Sequence, residues 1–149
     1  GARRPYRFLS VFKWEARKGW ELLLRAFLTE FGAEEGVELH IVTHEFGAKV
    51  DDFRQKVRDA TRALLNVSSD AALDGLARVY VYTKYIPDGT YPGLYKAMDA
   101  LVVPTHGEGW GRPQFEAMAM GLPVISTNWS GLTAFMNDEV AYPIRVEGV

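Results

Sequence analysis

Short apolar runs alternate with amphipathic helical segments along all 149 residues. This alternation constrains the fold more than any other property of the chain, because β-α units joined by short links bury their strands in a parallel sheet covered on both faces. Tyr6 to Phe12, rich in aromatic and branched residues, predicts a buried strand. Trp20, Leu23, Leu24, Phe27 and Phe31 fall at i, i+3, i+4, i+7 and i+11, which predicts a helix over about Gly19 to Phe31 with one apolar face, closed by Gly32. Val37 to Val42 reads as a second strand, and Val50, Phe53, Val57, Ala60 and Leu64 mark a second amphipathic helix. The polar stretch Asn66 to Asp74 carries no periodicity. Beyond it come a strand over Arg78 to Tyr82, a short helix over Tyr91 to Met98 and a fourth strand over Ala100 to Val103. Pro113 fits the first turn of a helix running to about Met120 and ended by Gly121. Val124 to Ser126, a helical turn at Leu132 to Met136, and Val140 to Ile144 complete the pattern. The expectation is one α/β domain over residues 1–149, a Rossmann-like doubly wound parallel sheet of about six strands, with ligands bound at the strands' carboxyl ends.

Composition narrows the function. A net charge of −2 argues against nucleic acid or an anionic membrane as the main partner, and 48% hydrophobic with 13% aromatic residues argues against disorder. No apolar run approaches the roughly 18 residues of a membrane-spanning helix. The absence of cysteine excludes disulfides, thiolate zinc sites and a cysteine nucleophile, and leaves the compartment open. Charge is unevenly spread: residues 1–65 carry 12 basic and 10 acidic groups, residues 66–149 carry 5 and 9, and six of the basic groups lie in the first 18 residues.

The segment that carries chemistry is Pro104-Thr105-His106-Gly107-Glu108-Gly109-Trp110-Gly111-Arg112-Pro113-Gln114-Phe115-Glu116-Ala117-Met118, between a strand and a helix. Three glycines in five residues permit positive φ and close approach to a ligand. Neither the dinucleotide spacing G-x-G-x-x-G after the first strand nor a G-x-x-x-x-G-K loop is present. Glu108 and Glu116 stand eight residues apart, and Gly109, Gly111 and Pro113 prevent one continuous helix between them. The two carboxylates can therefore reach one ligand from different directions, as acceptors for paired sugar hydroxyls. On spacing alone, Glu116 reads equally well as a first-turn glutamate favoured by the helix dipole and Glu108 as a loop charge, and a hydrolase acid/base pair is a third reading.

Glu108 through Ile125 closely follows the pattern E-G-[FW]-G-x-P-x-x-E-A-M-A-x-G-x-P-V-[IV], and so resembles the retaining glycosyltransferases of family 4, also called glycosyl transferases group 1. Lys18-Gly19 followed by Leu23-Leu24-Arg25-Ala26-Phe27, and Leu94-Tyr95-Lys96-Ala97-Met98-Asp99-Ala100, are also similar to that family, so the resemblance spans about Phe8 to Pro143. Lys13 stands where the family usually has arginine, and Ala134 where it usually has glutamate.

The resemblance implies one half of a two-domain GT-B architecture, the half that holds the nucleotide-sugar donor, with an N-terminal acceptor domain supplied in cis or trans. It implies transfer of a hexose with retention and without a metal or other cofactor, the isolated half being inactive or weakly active. Lys13 and Lys18 would neutralise the donor diphosphate, and Glu108 would lie beside the transferred sugar. The amides of Gly109, Trp110 and Gly111 would contact sugar or phosphate, Glu116 would bind the ribose, and Tyr85 and Ile86 would lie near the base. Two rivals keep the fold and change the function: a non-catalytic nucleotide or carbohydrate-binding module, and one half of a sugar-nucleotide epimerase. Bland readings also stand beside these roles: Lys13 as a strand-end charge, Lys18 as a solvated helix-start residue, Trp110 and Trp129 as core aromatics, and His44 and His106 as structural or solvated side chains.

Overall fold

The computed structural model describes residues 3–44 and 50–148. Six strands, β1 (Tyr6–Lys13), β2 (Val37–His44), β3 (Arg78–Tyr82), β4 (Ala100–Val103), β5 (Val124–Thr127) and β6 (Tyr142–Ile144), form one sheet in the order β3-β2-β1-β4-β5-β6, and every pairing is parallel. The expected Rossmann-like α/β architecture is the observed one.

Four helices cover the sheet: α1 (Trp20–Glu30), α2 (Val50–Leu65), α3 (Tyr91–Lys96) and α4 (Arg112–Ala119). Because strand side chains alternate between faces, the strands serve two separate cores. Phe12, Leu39 and Ile41 meet Leu23, Leu24, Phe27 and Leu28 of α1 and Phe53 and Val57 of α2 on one face. Leu9, Leu101, Val103 and Val124 meet Tyr95 of α3, Ala117 of α4, Leu132 and Met136 on the other. Each fully buried leucine contributes about 1.5–3 kcal/mol by leaving water, so α1 is held mainly by its apolar stripe rather than by helix propensity. Val50, expected on the apolar stripe of α2, has a side chain outside the described residues.

Several boundaries differ from expectation for local reasons. Gly32 has φ −88° and ψ 170°, so α1 does not end in a left-handed glycine; the chain leaves Phe31 extended and Gly32 joins an antiparallel bridge with Leu76. β2 runs two residues further than expected, to His44, because its pairing with β1 continues to Lys13. The unassigned stretch after α2 contains one short turn at Asp70–Leu73. Gly121 does end α4, with φ +72° and its amide bonded to the Met118 carbonyl.

The strand order places the reversal of connectivity between β1 and β4. At that point the loops leaving the two strands diverge and open a crevice at their carboxyl ends.

Candidate functional site

Two loops build the site. The first leaves β1 at Lys13 and enters α1 through Lys18 and Gly19; the second leaves β4 at Val103 and enters α4 through Gly111. Gly19 adopts φ +69°, and a Cβ there would lie 2.0 Å from the Pro104 carbonyl oxygen, so only glycine lets the two loops approach this closely. The loops are then tied together. The Arg17 carbonyl accepts from the His106 amide at 2.8 Å and from the Thr105 hydroxyl at 3.1 Å, while Arg17 Nη1 donates to the Gly107 carbonyl at 2.5 Å.

A second clamp comes from the segment after β5. The Glu108 amide donates to Ser130 Oγ at 2.8 Å, and the Gly131 amide donates to the Glu108 carbonyl at 3.0 Å. A Cβ on Gly131 would sit 2.0 Å from the Gly109 carbonyl oxygen, and Ser130 is held at φ +61°, which is uncommon outside glycine. The Glu108 backbone is therefore fixed from both sides.

The side chain of Glu108 is nearly buried and points at Lys18, whose Nζ lies 2.7 Å from both carboxylate oxygens; Arg17 Nη1 stands 3.3 Å from Oε2. Glu116, in α4, is reached from two directions. Tyr95 Oη donates to its Oε2 at 3.0 Å and Arg112 Nε to its Oε1 at 2.6 Å. Burial, and then the hydrogen bond to Glu116, holds the Tyr95 phenol well above its ordinary range, so it stays a donor. The Arg112 guanidinium is likewise pushed up, first by its hydrogen bond to Glu116.

A cleft of about 670 Å³ lies over the ends of β1 and β2, and Lys13, Lys18, Tyr85, Ile86 and Glu116 all line it. His44 lines it too, whereas His106 is exposed outside it. Among the described residues Lys13 has no ion-pair partner, in contrast to Lys18. Tyr85 is 84% exposed, its ring free to meet a ligand. Glu108 does not itself line this cleft and reaches it through its pairings with Lys18 and Arg17, both of which do. Gly109, Trp110 and Gly111 connect Glu108 to the cleft-lining Arg112 and do not themselves line it. Trp110 is half exposed and turns towards Phe135 and Phe115, with ring centroids 5.0 and 5.6 Å away; Trp129, also exposed, has its Cδ1 3.9 Å from where a Cβ on Gly107 would lie. Gly111 takes φ +88° at the start of α4, where a Cβ would meet Leu132 at 2.2 Å. Among the described residues, no group of three or more histidine, aspartate or glutamate side chains gathers as a metal site would require.

Sequence reasoning missed Arg17, Tyr95, Arg112 and Ser130. Arg17 adjoins the assigned Lys18, and Arg112 lies four residues before Glu116, the spacing at which helical side chains meet, so both were recoverable. Tyr95 and Ser130 carry no local signal for their polar contacts.

Comparison with known proteins gives the same reading of the chain. The sequence pattern of the family described as Glycosyl transferases group 1 matches residues 6–147. The O-antigen chain mannosyltransferase B of Escherichia coli is 39% identical over 70 residues, covering 46% of this chain and 18% of that protein. The mannosylfructose-phosphate synthase of Agrobacterium fabrum is 27% identical over 124 residues, covering 83% and 26%. The chain thus spans about a quarter or less of these two relatives. Among solved structures, the C-terminal domain of a glycosyl transferase group 1 family protein from Francisella tularensis superposes with a TM-score of 0.67 at 20% identity, over 95% of this chain and 69% of that one. A trehalose-phosphate synthase from Burkholderia xenovorans gives 0.69 at 15% identity, over 95% and 32%. The pattern match over nearly the whole chain, on a Rossmann-like sheet with Glu108 and Glu116 in its β4–α4 segment, makes this chain a member of the glycosyl transferases group 1 family.

Proposed function

We propose that this chain is the donor-binding half of a retaining glycosyltransferase and holds a nucleoside diphosphate hexose. The observation that carries the reading is the convergence of Lys13, Lys18, Tyr85, Ile86 and Glu116 on one cleft at the switch point of the sheet. Each then has a task set by its chemistry. Lys13, free of an ion pair among the described residues, and Lys18 receive the diphosphate; Glu116, oriented by Tyr95 and Arg112, accepts the ribose hydroxyls; Tyr85 and Ile86 flank the base. Glu108 accepts hydroxyls of the transferred sugar, which extends past the cleft lining towards the amides of Gly109 to Gly111.

In the reaction, the bond between the anomeric carbon and the diphosphate oxygen breaks while an acceptor oxygen bonds to the same carbon from the same face. The acceptor proton passes to the departing phosphate oxygen. Charge grows on that oxygen, and two fixed cations stabilise it where other enzymes use a metal. The acceptor is held by an N-terminal domain supplied in cis or trans, so the isolated chain binds donor and transfers poorly or not at all.

The test combines binding with reconstitution. Calorimetry of the chain with UDP, GDP, ADP and inorganic pyrophosphate is expected to give binding that Lys13→Ala weakens about tenfold for every diphosphate. Addition of the acceptor domain is expected to produce transfer with the donor's anomeric configuration, read by NMR. Undiminished binding by Lys13→Ala refutes its phosphate role, and a reconstituted pair that binds donor yet transfers nothing refutes the enzymatic reading in favour of a binding module.

A further inference from the structure

Lys18 and Glu108 are each assigned to the donor, one to its diphosphate and one to its sugar, yet in this structure they are assigned to each other. Lys18 Nζ is 2.7 Å from both carboxylate oxygens, and both side chains are nearly buried, at 14% and 10% exposure. A lysine that binds diphosphate must give up that pairing in whole or part. We propose that Glu108 is the site's own counter-ion for Lys18, displaced when the intact donor binds and restored once the sugar has gone, so that the same pair favours a sugar-bearing donor over the spent nucleoside diphosphate.

The geometry says which partner moves. The Glu108 backbone is pinned by Ser130 Oγ on its amide and by the Gly131 amide on its carbonyl, whereas Lys18 carries its charge on a flexible four-carbon stem. The lysine head therefore swings towards phosphate and the carboxylate stays. Glu108 keeps one cation nearby, because Arg17 Nη1 stands 3.3 Å from Oε2 and is anchored on the Gly107 carbonyl. Arg17 thus acts as a positioning residue for that carboxylate.

Energetics then separates the two ligands. Removing one partner from a desolvated ion pair leaves the other poorly compensated, which costs free energy unless new hydrogen bonds replace it. A nucleoside diphosphate sugar brings hydroxyl donors to Glu108 as its phosphates take Lys18. A free nucleoside diphosphate brings none. It also presents a terminal phosphate of higher negative charge beside the carboxylate, and like charges repel. Re-pairing of Glu108 with Lys18 after transfer therefore opposes retention of the product.

This inference rests on the donor-binding reading, and the experiment separates the two. Calorimetry is run on wild type and Glu108→Gln with UDP against UDP-glucose, GDP against GDP-mannose and ADP against ADP-glucose. The amide keeps the size and planar shape of Glu108, removes its charge and turns one of its two acceptor oxygens into an N–H donor. The expected result for the pair that binds is a gain of about five- to tenfold in affinity for the free diphosphate, the scale of one lost ionic contact, with weaker binding of the sugar conjugate. Should Glu108→Gln fail to fold, Glu108→Asp, which draws the carboxylate back from Lys18 by one methylene, is expected to shift both affinities in the same directions by smaller factors. Unchanged or weaker binding of the free diphosphate by the variant, with wild type binding normally, overturns the exchange and leaves the donor site standing. Failure of wild type and variant to bind any of the six ligands overturns both.

Discussion

Tyr95 donates its phenolic hydrogen to Glu116 at 3.0 Å from within the core, joining a residue that packs α3 against the sheet to a carboxylate one turn into α4, past its first turn. The apolar core and the binding site thus share a side chain. Arg112 Nε holds the other oxygen at 2.6 Å from the solvent side, so the plane of the Glu116 carboxylate is set before any ligand arrives.

Replacing Tyr95 with phenylalanine keeps the ring and removes the donor. The expected loss is about 1.5–3 kcal/mol of folding stability, the scale of one hydrogen bond to a charged group, measured by urea denaturation. Affinity for a nucleoside diphosphate should fall a few-fold while affinity for inorganic pyrophosphate, which has no ribose, is unchanged.

Gly131→Ala puts a methyl group 2.0 Å from the Gly109 carbonyl oxygen, and Gly19→Ala puts one 2.0 Å from the Pro104 carbonyl at a residue of positive φ. Each forces apart backbone segments that position Glu108 or Lys18. A loss of about 2–4 kcal/mol is expected for each. Gly75→Ala, where no atom lies within 4 Å of the added carbon, should be within about 0.5 kcal/mol of wild type, and thermal melts of the three variants make the comparison.

Much of the fold was legible because its signals are local. β3 and β4 begin and end where the alternating segment Arg78 to Tyr82 and the apolar run Ala100 to Val103 do, the second stopped by Pro104. The left-handed ending of α4 at Gly121 was equally readable, whereas the same inference at Gly32 failed, because a bridge to Leu76, 44 residues away, holds the chain extended there. In the site, Lys13, Lys18 and Glu116 could be selected by motif, and Tyr85 and Ile86 by their place after the third strand, but their shared cleft depends on strand order. The close approach of Gly131 to Gly109, the left-handed Ser130 and the Tyr95 bond to Glu116 are tertiary facts. No spacing within one segment encodes them.

Asp99, just before β4, accepts from Arg4 at 2.6 and 2.8 Å and from the Arg7 amide at 2.8 Å. The Arg4 hydrogen bond is the largest cause holding its carboxyl below the ordinary range. A carboxylate whose folded pKa is depressed stabilises the protein above its unfolded value, about 3.9, and loses that contribution as pH falls through the lower folded value. Asp99→Asn should therefore lower the urea midpoint by a constant amount from pH 7 to pH 5, and the gap from wild type should close below about pH 4. A gap that is independent of pH down to 2 would show that the ion pair contributes nothing.

We propose that the cleft over β1 and β2 binds a nucleoside diphosphate through a ribose contact at Glu116. Calorimetric titration of the 149-residue chain and of Glu116→Ala with UDP, GDP and ADP tests it most directly. Wild type is expected to bind at least one of the three, the variant to bind it about tenfold more weakly, and both to bind pyrophosphate alike. Equal binding of the nucleotide by the two proteins, or no binding by wild type, would contradict it.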